Sequence, residues 1–302
     1  MSEGIDFTNC ERITGKAYNG ANGKKIAVKY EGCQYMLKFP PSGQLKPTEL
    51  SYTNSCFSEH IASSIFNILD VEAQKTILGT FDVAGKMKIV CACRDFTADG
   101  KQLFDFCSIK NTILDSDSNG SGTELSDILE TIEKQQFVGP DRLVEHFWEV
   151  FVIDALLGNF DRHNGNWGFL YNPISKTSDI APVYDCGSCL LPQADDDIMH
   201  SVLENENALY KRVFQFPTSA LKLDGRKINY YDFLIKAEYP DCNEAVKKIY
   251  ERLNMKKIDD FIDEVPYISD FQKTFYKKYI DARVSLILAP AYEMIMLNKI
   301  KN

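Results

Sequence analysis

The most restrictive feature of this chain is DRLVEHFWEVFVIDALL, residues 141–157, a helical stretch that is apolar on nearly every face. A helix without a polar side cannot lie on a surface, so it belongs at the centre of a core. Gly158 is a natural stop for it. The next residues, GNFDRHNGNWGFL (158–170), are crowded with Asn and add an Asp, an Arg and a His before what reads as a strand. Polar chemistry therefore emerges directly from the middle of the fold.

Composition limits what that chemistry serves. With 302 residues, 44% of them hydrophobic and 12% aromatic, the chain can bury one large core or two modest ones. A formal net charge of -9 repels phosphodiester backbones, and no local basic patch offsets it, so nucleic acid is not an expected partner. No apolar run approaches the ~20 residues of a membrane span, and MSEGIDFTNC lacks the basic and apolar regions of a signal peptide. Nine Cys, an odd count in a chain too long to need disulfide staples, favour reduced thiols. A cytoplasmic protein is expected, although export by a signal-less route would leave no trace in the sequence.

The chain changes character near residue 96. Residues 11–39 read as hairpins of a small antiparallel sheet, with IAVKY and CQYMLKF alternating across Glu31 and Gly32. SYTNSCFSEHIASSIFNILD sets Phe57, Ile61, Ile65 and Ile68 at helical spacing, and ILGTFDVAG with KMKIVCACRDF forms another strand pair. The remainder is mostly helical. Residues 1–95 are thus expected to form a sheet-rich lobe and 96–302 a helical one. LDSDSNGSGTELSD reads as a solvated loop between them, and QADDD as another.

Asp161 and Asn166 stand five residues apart, the spacing of a kinase catalytic loop, where the Asp accepts the proton of the substrate hydroxyl and the Asn holds a metal ion. WGFLYN and DIAPVYDCG read as a hairpin that returns Asp185 to this loop, with Gly187 two residues on as in a D-x-G metal-binding element. Lys38 lies in the strand CQYMLKF and Glu59 on the next helix, the order of a phosphate-binding Lys held by an acidic partner. NGANGKK (19–25), including Asn22 and Gly23, offers backbone N–H groups to a phosphate. Asp154, inside the apolar helix, is expected to order the loop through hydrogen bonds, with His163 supporting it. Cys186 and Cys189 form a CGSC pair without a second pair for zinc and are expected to be packing thiols.

These motifs resemble the HipA-like serine/threonine kinases of bacteria, in particular the short stand-alone CtkA-type forms without an extra N-terminal domain. The resemblance covers most of the chain, and GNFDRHNGNWGFL with PVYDCG carries its most specific part. It implies an α+β, two-lobed protein-kinase-like fold with a sheet-rich N-lobe, a mostly helical C-lobe and ATP in the cleft. It further implies Asp161 as catalytic base, Asn166 and Asp185 as Mg2+ ligands, Lys38 as the ATP phosphate contact and Glu59 as its partner. Against ordinary protein kinases, Arg162 and His163 follow the Asp rather than precede it, Cys186 replaces Phe, and both A-P-E and G-x-G-x-x-G are missing.

The expected activity is transfer of the ATP γ-phosphate to Ser or Thr of a protein. Two alternatives keep the fold: a nucleotide-binding pseudokinase or regulator, and a small-molecule or lipid kinase. Autophosphorylation is expected to use Ser116, Ser118, Ser121 or Thr123 in a mobile segment. The sequence names neither the protein substrate nor any antitoxin-like partner.

Overall fold

The computed structural model describes residues 4–16, 25–40, 53–114 and 119–301. Asn22, Gly23, Ser116 and Ser118 lie outside the described residues.

Strands β1 (Ile5–Asp6), β2 (Glu11–Arg12), β3 (Lys25–Tyr30) and β4 (Cys33–Lys38) are followed by helix α1 (Ser55–Ile68) and strands β5 (Thr76–Val83) and β6 (Lys86–Arg94). The six strands form one sheet in the order β1-β5-β6-β4-β3-β2. The expected β3–β4 hairpin turns at Glu31 and Gly32, whose φ of 46° and 76° give the twist that two-residue hairpins prefer. That turn sets the register, in which Lys25 pairs with Lys38. Alternation then sorts the side chains. Tyr35, Leu37, Val90 and Ala92 join Phe7, Val28 and Phe81 in a small cluster on one face. Cys91 and Cys93 point to the other face, where they meet Phe57, Ile61 and Ile65 of α1 in the main core. Lys38, two residues from Met36 on this second face, is thereby aimed at α1.

The second part of the chain starts with β7 (Gln102–Asp105), α2 (Phe106–Ile113), α3 (Leu125–Lys134) and α4 (Pro140–Leu157), then β8 (Gly168–Asn172) and β9 (Thr177–Ile180). Strands β7, β8 and β9 make a three-stranded antiparallel sheet. Next come α5 (Asp196–Glu204), α6 (Glu206–Tyr210) with a π-helical turn at Lys211–Gln215, and the short hairpin β10 (Lys222–Leu223) and β11 (Arg226–Lys227). Helices α7 (Tyr230–Lys236), α8 (Pro240–Arg252), α9 (Met255–Glu264), α10 (Asp270–Arg283) and α11 (Ala289–Lys301) complete the chain. As its composition demands, α4 is central: every residue from Phe147 to Leu157 is buried.

The main core is continuous from α1 to α4, and backbone hydrogen bonds reinforce the junction. Val183 N donates to Glu72 O at 2.9 Å and its carbonyl accepts from Gln74 N at 2.8 Å. Before α1, Asn54 Nδ2 donates to Ala194 O at 2.7 Å. Both ends of α1 are therefore tied to the segment that contains Asp185.

The hairpins expected over residues 11–39 are antiparallel, and the sheet gains β1, a two-residue strand that pairs parallel with β5 and is too short to show a period. Two expectations need correction. The Ser/Gly/Asp-rich stretch is not simply solvated. Among its described residues Gly120 is buried, Lys110 Nζ donates to Gly122 O at 2.9 Å, and the Thr123 hydroxyl donates to Ala220 O at 2.8 Å. Thr123 is thus anchored rather than mobile. QADDD opens α5: Asp195 accepts from Ile198 N at 2.9 Å, and Asp196 and Asp197 occupy the first turn, where carboxylates meet the positive end of the helix dipole.

Gly158 ends α4 in the left-handed region at φ 63°, and a Cβ there would lie 2.5 Å from Tyr279 Oη and 2.7 Å from Pro217 Cγ. Gly158→Ala combines backbone strain with overpacking and is expected to cost about 2–4 kcal/mol. Urea unfolding of wild type and variant checks this, and a loss below about 1 kcal/mol would show that the turn relaxes freely.

Candidate active site

The loop after α4 is built around a buried ion pair. Asp154, on the last turn of α4, faces Arg162, whose Nε and Nη2 lie 3.0 Å and 3.2 Å from its two carboxylate oxygens. Asn159 Nδ2 adds a bond to Asp154 Oδ1 at 2.8 Å. Arg162 Nη1 donates onward to Asn166 O at 3.1 Å and Tyr184 O at 2.5 Å, and Nη2 reaches Cys186 Sγ at 3.5 Å. One guanidinium thus joins the end of the helix, the loop and the segment before and after Asp185. Asp154 orders the loop as expected.

Around this pair the backbone of Asp161 is held from several sides. Its N–H donates to Asn159 Oδ1 at 3.0 Å, and its carbonyl accepts from His163 N and from Asn166 Nδ2, both at 2.8 Å. Because the Asn166 amide spends its N–H on that carbonyl, its Oδ1 is the atom left to face a cation. His163 supports the turn by accepting Gly165 N–H on Nδ1 at 3.0 Å.

The opposite wall is Lys38. Its Nζ lies 2.8 Å from Glu59 Oε2 and 2.9 Å from Asp185 Oδ1. Glu59 is buried, and a Cβ on Gly187 would sit 3.3 Å from its Oε2, so the small residue after Asp185 permits this close approach. Burial pulls the Lys38 amine down, but the charges of Asp185 and Glu59 outweigh it and hold the amine well above its usual value. Lys38 in turn lowers the Asp185 carboxyl to about 2. Asp161 moves the other way: burial raises it, and the neighbouring charge of Asp185 adds to the rise. The two acids of one cleft are therefore separated by environment.

Lys38, Glu59, Asp161, Asn166 and Asp185 accordingly fall in one connected site, whereas Asn22 and Gly23 lie outside the described residues. Two further contributors went unread. Lys25, the cross-strand partner of Lys38, shares its sheet face and lies within electrostatic reach of Asp185. The two-residue turn at Glu31 and Gly32 carries that register, so the signal was present. Asn164 joins the loop to the preceding segment by donating to Gly120 O and Gly122 O, both at 2.8 Å; nothing local in the sequence marks it. Cys186 and Cys189 are buried free thiols in the core, and all nine cysteines are unpaired.

The HipA-like C-terminal domain matches residues 17–263 as a family model. The chain belongs to the HipA-like family. This HipA-like protein is 48% identical over 292 residues to the Helicobacter pylori protein named serine/threonine-protein kinase CtkA, covering 95% of this chain and 87% of that one. The crystal structure described as a Helicobacter pylori proinflammatory kinase CtkA superimposes with a TM-score of 0.90 at 46% identity, over 97% of this chain and 99% of the other. HipA of Shewanella oneidensis, from a toxin–antitoxin complex with HipB and operator DNA, shares the fold at a TM-score of 0.57 and 16% identity, over 94% and 68% of the two chains. The sheet-rich and helical lobes of this HipA-like chain are thus those of a kinase-like fold.

Two measurements test the site. Arg162→Met leaves Asp154 charged and buried without its partner, an expected loss of about 3–5 kcal/mol by urea unfolding. Arg162→Lys should recover only part, because an ammonium cannot reproduce the fork. A loss below about 1 kcal/mol in Arg162→Met would refute the role of the pair.

Carboxyl NMR titration without Mg2+ should place Asp185 near 2 and Asp161 above the ordinary value of 3.8. Since the folded-state value of Asp185 is depressed, its contribution to stability is present above about 3.8 and fades as pH falls through about 2. The raised Asp161 has the opposite sign, its ionisation costing stability as pH rises through its folded value. Lys38→Met should move Asp185 upward, and an unmoved resonance would contradict the pairing.

Proposed function

We propose that this protein is an ATP-dependent, Mg2+-requiring serine/threonine protein kinase that transfers the γ-phosphate of ATP to a protein hydroxyl. One observation carries the reading: Lys38 is paired with Glu59 and with Asp185, and Asp185 in turn lies within electrostatic reach of Asp161, whose carbonyl Asn166 holds. On this reading residues 1–95 bind the nucleotide phosphates and 96–302 supply the catalytic loop and metal ligands.

The side chains fit both ligands. Asp185 Oδ1 and Asn166 Oδ1 are oxygen donors of the kind Mg2+ takes. Among the described residues no cluster of three or more His, Cys, Asp or Glu could hold a metal by itself. That agrees with an ion that reaches full coordination only with phosphate oxygens and water. Bound there, Mg2+ would neutralise the phosphates and the charge that develops during transfer.

The protein's own groups divide the remaining work. Lys38 places a fixed positive charge against the phosphates, and Glu59 keeps its amine from swinging away. Asp161 orients the acceptor hydroxyl and takes its proton; its raised pKa makes it a better base than an ordinary exposed carboxylate. Asn166 fixes the Asp161 backbone through its Nδ2, so the base and a metal ligand are placed by one hydrogen bond.

A pseudokinase would have no use for all five groups in place, and the likeness to a serine/threonine-protein kinase over nearly the whole chain favours a protein acceptor over a small molecule or lipid. No helix among the described residues is long and apolar enough to cross a membrane. The nine unpaired thiols suit a reducing compartment.

The test is a [γ-32P]ATP assay with Mg2+, alone and with a bacterial lysate, followed by mass spectrometry of labelled protein. Asp161→Asn is expected to lose about 10²–10⁴-fold in transfer rate while still binding Mg2+·ATP. ATP with Mg2+ should raise the melting temperature clearly and ATP alone little, with Asp185→Ala abolishing the difference. Equal stabilisation with and without Mg2+, untouched by Asp185→Ala, would return the protein to a nucleotide-binding regulator.

A further inference from the structure

Between α5 and the π-helical turn after α6 lies a groove of about 350 Å³. Ile198, Val202, Ala208 and Phe216 give it an apolar floor, Lys211 and Arg212 stand at its edge, and no carboxylate lines it. Its position is fixed relative to the catalytic loop. The Phe216 ring packs 5.4 Å from that of Phe160, the residue before Asp161. Beneath the groove, buried Arg283 donates from Nη1 to Arg212 O at 3.1 Å and from Nε to Ala155 O of α4 at 2.7 Å. The turn that carries the groove is thereby bolted to the helix that ends in the loop.

Charge continues toward the site. Lys227, on β11, is close enough to Asp161 to favour its carboxylate. Lys211, Arg212 and Lys227 form no ion pair among the described residues. Of the acids on the flanking helices, Asp195 caps α5, Glu204 faces His200 one turn earlier, and Glu206 stands in the first turn of α6.

We propose that this groove docks the protein acceptor, gripping an apolar side chain flanked by Asp or Glu a few residues from the Ser or Thr that is phosphorylated. The proposal rests on the kinase reading and adds to it the substrate class. An apolar residue fills the Ile198–Val202–Phe216 floor, and carboxylates beside it meet Lys211 and Arg212. The Phe160–Phe216 contact sets the groove beside the loop that holds Asp161, so one extended segment can reach both. A polyanion without an apolar residue would leave the floor unfilled, and a basic peptide would be repelled by the rim.

A degenerate peptide library with a fixed central Ser or Thr, phosphorylated by the full-length protein with Mg2+ and ATP, tests this. Wild type is expected to enrich an apolar residue with neighbouring Asp or Glu at a constant offset, by about tenfold, the effect of one well-placed charge pair. Lys211→Glu/Arg212→Glu should lose or invert the acidic preference while keeping the wild-type Mg2+·ATP melting shift, and Ile198→Asp should lose the apolar preference. No preference, a basic preference, or a preference unchanged in the double variant overturns the proposal. A wild-type dimer that the double variant abolishes, with peptide selection unaltered, overturns it too, since the groove would then hold a second copy. Labelling of lysate proteins by wild type keeps the kinase reading intact in each of these cases; only its absence there as well would reach that reading.

Discussion

The Asp154–Arg162 pair is the interaction on which the rest of the site depends. An apolar helix at the centre of a core has no other way to hand its direction to a polar loop. Asp154 supplies a charge that cannot stay buried alone, and Arg162 satisfies it while spending its remaining N–H groups on Asn166 O and Tyr184 O. Because guanidinium is planar and forked, these bonds fix angles as well as distances. Asp161 and Asp185 take their places as a consequence: one lies beside Arg162 in sequence, the other directly after Tyr184. Such a pair contributes little net stability relative to an apolar substitute, so its value here is geometric.

The second constraint is the hairpin register. Pairing Lys25 with Lys38 and alternating side chains along β4 leaves Lys38 no face but that of α1, where Glu59 waits. The Glu72–Val183–Gln74 backbone clip and Asn54 then hold α1 against the segment bearing Asp185. In many kinases the lysine–glutamate pair forms only when a helix is positioned by a separate event. Here contacts of the folded chain itself make the pair, with Lys38 held by Glu59 and Asp185 together.

Much of this was legible. The five candidate residues that the structure brings together could be proposed because each sits at a fixed offset from a strong local signal: Asp161 and Asn166 after an all-apolar helix, Asp185 after a hairpin, Lys38 in an alternating strand, Glu59 on a helix of clear period. The role of Asp154 followed from an acid in an apolar helix. What escaped has physical reasons too. Strand β1 is two residues long, and pairing with β5 is a long-range event with no local pattern. Asp195–Asp197 resembled a solvated run because capping depends on where the helix begins, which three consecutive acids leave ambiguous. Gly120 and Gly122 lie in a stretch with the composition of a linker, yet the carbonyls of both bind Asn164. Composition reports the side chains, and here the backbone makes the bonds.

The electrostatics of the cleft follow from where each acid sits relative to Lys38. Asp185 touches the amine and is held ionised, the state its proposed role as a metal ligand would require. Asp161 has no such contact, is partly buried and feels the charge of Asp185, so it binds its proton more readily, as its proposed role as a base would require. A cation bound at Asp185 would cancel much of the repulsion that raises Asp161. On the proposed reading, metal binding would therefore lower the Asp161 pKa toward the ordinary carboxylate range, so that the ion and the acid beside it are linked through the charge of Asp185.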